Sequence, residues 1–259
     1  MWSNMEKIRN IVVLVMLVLV CGNKANAVMD YGKLSAKADR FVHFQEWNSA
    51  NAMYMLMLDQ RPMESQLYSK AIVTSGLIND EKLQLDLLER TQKNGIPLDS
   101  IFSGVRNFSF EVGESQEYEQ FLKLVKVSHS WLSRPINVRL LEFYDFRNDA
   151  TNMVSVGKEL LVATPDDIGY LDVVARGYML MGDFENGVGA YNKILSIDDE
   201  NYDALIAMGN YFYVMWKESE GTRSQMTSTK VQAQEYLQKA YNLRPTPFVK
   251  AKLTELEAR

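Results

Sequence analysis

The sequence predicts an all-α protein made of a run of antiparallel helix pairs, and three observations predict it. Glycine and proline are sparse, 14 and 6 in 259 residues, while Met (14), Leu, Ala, Glu, Lys and Gln dominate, a composition that favours helix. A small or polar residue followed by an acid recurs along the chain: Gln45-Glu46, Asn79-Asp80, Gly113-Glu114, Asn148-Asp149 and Gly182-Asp183, at spacings of 34, 34, 35 and 34 residues. Each pair lies between two runs with apolar residues at helical spacing. The first residue of such a pair lets one helix stop, and the acid caps the positive end of the next. A period of 20–50 residues signals a solenoid, because one helix pair of about 34 residues cannot bury enough surface alone and must stack on neighbours.

In order, the helix pairs fall at 31–64, 65–98, 99–133, 134–167, 168–201 and 202–247. In the first, Leu34, Ala38 and Phe41 precede the turn, then Trp47, Ala50, Tyr54, Met57 and Pro62 follow. In the fifth, Leu171, Val174, Ala175 and Tyr178 are followed by Gly187, Tyr191, Ile194 and Ile197. The sixth starts with Leu205, Met208, Gly209 and Phe212 and resumes late with Ala233, Leu237, Ala240, Leu243 and Pro245, which makes 217–228 an insertion. In the middle pairs the close-contact places carry Ile72 and Gln84, Arg106 and Tyr118, Leu141 and Met153. These are bulky, and Gln84 and Arg106 need polar partners if buried. A last helix over 247–258 has Val249, Leu253 and Leu256 inside and Lys250, Glu255 and Arg259 outside, the wet face of a cap.

These residues resemble the tetratricopeptide repeat (TPR) family, over nearly the whole chain after the N-terminus but with specific residues in about half of it. The resemblance implies a right-handed α-solenoid, a TPR-like superhelix with a C-terminal capping helix, and a concave groove lined by the first helix of each pair.

The N-terminus is a separate object. Lys7 and Arg9 precede an apolar run, Ile11–Val20, which ends before the small-residue stretch Ala25-Asn26-Ala27. That is the layout of a secretory signal peptide over 1–27, and the run is shorter than the roughly 20 residues a membrane span needs. Cleavage after Ala27 is the preferred reading and places the protein in the periplasm or outside the cell. The alternative is a lipoprotein anchored through Cys21, from which Val20 departs because a Gly, Ala or Ser usually stands there. Beyond residue 27 no cysteine remains to pair, and the charge is 25 basic against 32 acidic residues. A mildly acidic chain with no basic stripe argues against nucleic acid.

Catalytic groupings are missing from the sequence. His43 and His129 stand alone, and no phosphate loop, dinucleotide fingerprint or nucleophile elbow occurs. Asp166-Asp167 and Asp198-Asp199-Glu200 lack the spaced ligands of a calcium loop and suit helix starts. The expectation is a non-enzymatic scaffold without cofactor or metal, holding protein or peptide partners in the cell envelope.

By the family register, the groove carries Asp39, Asn107, Phe110, Glu142, Asp145, Phe146, Asp172, Arg176, Asn210 and Tyr213. Asparagines can both donate to and accept from an extended backbone. With Glu142, Asp145 and Asp172 outweighing Arg176, the partner segment is expected to be neutral or basic, and Phe110, Phe146 and Tyr213 are expected to be apolar anchors. The other function kept open is a small-molecule or lipid binder serving transport, with Met53, Met55 and Met57 lining an adaptable cavity.

Overall fold

The structure is a computed structural model that describes residues 30–218 and 223–258; the signal-peptide stretch, Cys21 and part of the 217–228 insertion lie outside the described residues. The described chain is helical, with thirteen α-helices: α1 Tyr31–His43, α2 Trp47–Gln60, α3 Ser65–Leu77, α4 Glu81–Lys93, α5 Leu98–Glu111, α6 Ser115–Ser128, α7 Ser133–Arg147, α8 Ala150–Ala163, α9 Ile168–Leu180, α10 Phe184–Ile197, α11 Tyr202–Glu218, α12 Arg223–Leu243 and α13 Pro247–Ala258. A short 3-10 turn, Ser130–Leu132, precedes α7. The chain divides into two compact units, ending and beginning at Phe121 and Leu122 inside α6.

The five recurring pairs are the turns between α1 and α2, α3 and α4, α5 and α6, α7 and α8, and α9 and α10. Their first residues, Gln45, Asn79, Gly113, Asn148 and Gly182, are left-handed, with φ of 57°, 58°, 80°, 52° and 76°. The following amide reaches back five residues in each turn, for example Asp80 N–H to Ser75 O (2.9 Å) and Asp183 N–H to Tyr178 O (3.0 Å). That closes a Schellman motif and satisfies carbonyls the ending helix would otherwise orphan. The acid's length then matters. Asp80, Asp149 and Asp183 accept from the amides of Leu83, Asn152 and Asn186, whereas Glu46 makes no side-chain cap. Gly95 is a sixth left-handed turn (φ 68°), ahead of Pro97, that the period does not announce.

Unit 1 packs α1 on α2, α2 on α3, and α3 on both α4 and α5. Leu34, Ala38, Ala50, Leu58, Tyr68, Ala71, Ile72, Leu87, Ile101, Phe102 and Phe121 are fully or almost fully buried. Threaded through this core is a polar seam. Asn51 Nδ2 donates to Ala71 O (3.0 Å), Thr74 Oγ1 (2.9 Å) and Ser75 Oγ (2.9 Å). Gln84 Nε2 donates to Ile72 O (3.1 Å) and Glu117 Oε1 (2.8 Å), the partners its burial requires. Arg106 departs from the expected contact: it is exposed, with its guanidinium 5.4 Å from the Phe110 ring centroid, so only Tyr118 of that pair is buried.

Unit 2 packs α7 on α8, then α8 to α12 each on the next, and α13 on α12. Its core is apolar but for Asn137. One cluster joins Leu171, Ala175, Tyr191, Ile194, Ala204 and Met208; another joins Tyr213, Trp216, Ala233, Leu237, Val249, Leu253 and Leu256. Small residues set the approach between helices here. A Cβ placed on Gly209 would stand 2.7 Å from Leu237 Cγ, closer than packed carbons can come. The 217–228 insertion is met on both sides by helix, since α11 runs to Glu218 and α12 begins at Arg223.

Candidate partner-binding face

The first helix of each pair (α1, α3, α5, α7, α9 and α11) carries the residues expected in the groove. In unit 2 these residues satisfy one another. The Arg176 guanidinium donates through Nη1 and Nη2 to Asp145 on α7, the latter at 3.0 Å, and through Nε to Asp172 Oδ2 at 2.9 Å. These hydrogen bonds hold Arg176 charged well beyond the ordinary arginine range, against the opposing effect of burial. One cation against two carboxylates leaves the triad with a surplus negative charge, and the exposed Glu142 adds to it. Phe146, next to Asp145 in sequence, stands 62% exposed.

The expected last stretch of groove is also engaged. Asn210 Oδ1 accepts from Lys252 Nζ (2.8 Å), and the Tyr213 hydroxyl donates to Glu255, both partners lying on α13. Lys252 sits 4.4 Å from the Tyr213 ring centroid, and Lys217 bonds Glu255 at 3.2 Å. Tyr213 is a buried member of the C-terminal core rather than an outward anchor. Val249, Leu253 and Leu256 of α13 sink into that core, and Lys252 and Glu255 beside them take these groups of α11.

Unit 1 differs. Gln66, Ser69, Lys70, Gly104, Asn107, Phe108 and Glu111 line a recess of about 240 Å³ between α3 and α5. Asn107 and Glu111 are exposed, while Ser69 and Phe108 form its buried floor. Ser69 Oγ is tied to Ser65 O and Ile101 O, at 3.2 and 3.3 Å. The Lys70 ammonium lies 5.3 Å from the Phe108 centroid and 5.7 Å from that of Tyr54, a cation held over two aromatic faces. Burial pushes the Tyr54 hydroxyl well above the ordinary tyrosine range, with the carboxylates of Asp39 and Glu111 adding to it. Asp39 is exposed on α1, and Phe110 is half-buried beneath Arg106.

Of the expected groove residues, the structure thus brings together Asp145, Asp172 and Arg176, and ties Asn210 and Tyr213 to the cap. It sets Asn107 alone among them in an open recess. Lys70 and Glu111 were missed: the expected groove residues include Phe110, one position from Glu111, and none of α3. Asp167 caps α9, its Oδ1 accepting from Tyr170 N–H (3.1 Å), whereas Asp198 Oδ1 accepts from Glu200 N–H (3.3 Å) within the turn and Asn201 caps α11 through Ala204 N–H (3.1 Å). Among the described residues no cluster of three or more His, Cys, Asp or Glu could hold a metal ion, and no helix is long and apolar enough to cross a membrane. Met57 is 3% exposed and packs in the core.

No protein-family model matches the chain, and no curated protein matches it. Among solved structures it is similar to a TPR repeats protein from Bacteroides fragilis (16% identity, 88% of this chain and 98% of that one, TM-score 0.38). It is also similar to PilW, described as a widely conserved type IV pilus biogenesis factor (14%, 88% and 99%, TM-score 0.43). A third is the TPR2AB domain of yeast Sti1 in a complex with pHSP90 (11%, 88% and 98%, TM-score 0.35). At TM-scores below 0.5 these likenesses assign no function, and what the protein does follows from its own residues.

Proposed function

We propose that the protein is a non-catalytic helical-repeat scaffold that holds an extended segment of a protein partner on the first helices α3 and α5 of unit 1. The observation that carries this reading is the α3–α5 recess. Its volume, about 240 Å³, falls below the roughly 300–1,000 Å³ usual for small-molecule pockets. It suits a side chain of a longer ligand better than an enclosed metabolite. Asn107 offers a donor and an acceptor to a peptide unit, Lys70 and Glu111 offer opposite charges, and Phe108 offers an apolar wall. The N-terminal run and the small residues ending at Ala27 support export, and hence a partner in the cell envelope.

Affinity capture from envelope extract tests this reading. The wild-type chain should return a reproducible protein that a Lys70→Glu, Asn107→Ala double variant loses at least tenfold. Equal recovery by the two would remove the recess from the account. A small ligand carried through purification and seen by native mass spectrometry would favour the ligand-binding alternative.

A further inference from the structure

Glu117 has no place in the partner face, and its surroundings are unusual. It is 5% exposed, near the start of α6 within unit 1. Three helices enclose its carboxyl. From α4, Gln84 Nε2 donates to Oε1 at 2.8 Å and is itself held by Ile72 O of α3 at 3.1 Å. From α3, Gly76 gives the room: a Cβ there would overlap the Glu117 carboxyl and lie 2.5 Å from Gln84 Nε2. The charged groups acting on the carboxyl are Glu81 of α4 and Glu114 of the turn before α6, both acidic. From α3 it meets the uncharged Gly76. A carboxylate buried against two like charges, with one neutral amide as its hydrogen-bond donor among the described residues, is costly to ionise.

We propose that Glu117 makes the α3–α4–α6 joint of unit 1 proton-sensitive, closed around the neutral carboxyl and loosened when that carboxyl ionises. The electrostatics agree. Burial pushes Glu117 up from 4.5 to about 7; the Gln84 hydrogen bond opposes this, and Glu114 and Glu81 reinforce it. A carboxyl raised on folding stabilises the folded state fully below its unfolded value. That stabilisation is lost as pH rises from about 4.5 to about 7, after which no more is lost. A shift of this size corresponds to a change in the opening equilibrium of about two orders of magnitude.

The test uses the full chain. Carboxyl titration by NMR with ¹³C-glutamate should show one resonance titrating between pH 6 and 8 that is missing in Glu117→Gln. Amide protection over residues 72–84, corrected for intrinsic exchange, should fall about a hundredfold from pH 5 to pH 8 in the wild type, and less than threefold in the variant. No glutamate titrating above pH 5.5 would overturn the proposal. So would protection that falls in parallel in the two proteins.

Discussion

Units 1 and 2 use the same helix hairpin and opposite contact chemistry. Unit 1 buries polar side chains, with Asn51 bonded to Ala71 O, Thr74 and Ser75, and Gln84 bonded to Glu117. It leaves Lys70, Asn107 and Glu111 around an open recess. Unit 2 keeps its interior apolar but for Asn137 and draws its helices together at small residues such as Gly209. Its charges are spent on one another at the surface, in Arg176 with Asp145 and Asp172, and in Lys217 with Glu255. The comparison teaches that residues sharing a register position need not share a role. Availability to a partner depends on what the neighbouring helix already offers.

Substitutions that break this contrast should rank by mechanism, and thermal unfolding of each variant measures them. The largest effect belongs to the apolar core of unit 2. Leu237→Ala, at a fully buried site, should cost about 2–5 kcal/mol. Next comes the polar seam of unit 1, where Asn51→Ala leaves Ala71 O and two hydroxyls short of a buried donor and should cost about 1–3 kcal/mol. A loss below about 0.5 kcal/mol would mean the seam is solvated rather than buried. The caps are smaller. Asp183→Ala should cost about 1 kcal/mol, while Glu46→Ala, at a position with no side-chain cap, should cost a few tenths. Arg176→Ala should cost about 1 kcal/mol or less, because the three side chains of the triad are each about a third exposed. That variant sharpens the comparison in another way: it frees Asp145 and Asp172 and should increase capture of basic peptides on unit 2.

How much of this could be read from sequence follows from how local each interaction is. The turns were legible because a left-handed stop and an acidic cap are decided within a few residues, so Asn79-Asp80 and Gly182-Asp183 announce themselves. The core faces were legible for the same reason, through their spacing at Leu171, Ala175, Tyr191 and Ile194. Gly95 escaped because it lies between pairs, outside the period. The groove was legible only in part. Asn107 could be placed by register, but the triad of Asp145, Asp172 and Arg176 joins side chains up to 31 residues apart, and charge counting treated them as separate. Tyr213 and Asn210 misled because the cap residues that take them, Glu255 and Lys252, lie 42 residues on. Glu117 gave no signal, since nothing in its own helix distinguishes it from an exposed glutamate until Gly76 and Gln84 fold over it.

The central claim is that the recess of unit 1, rather than the self-satisfied face of unit 2, receives the partner. Site-specific photo-crosslinking in the native envelope tests it most directly, with the probe placed at Asn107 in one chain and at Glu142 in another. The account predicts a reproducible adduct with a protein from the Asn107 probe and at least tenfold less from Glu142. Equal adducts at both positions, or an adduct from Glu142 alone, would contradict it.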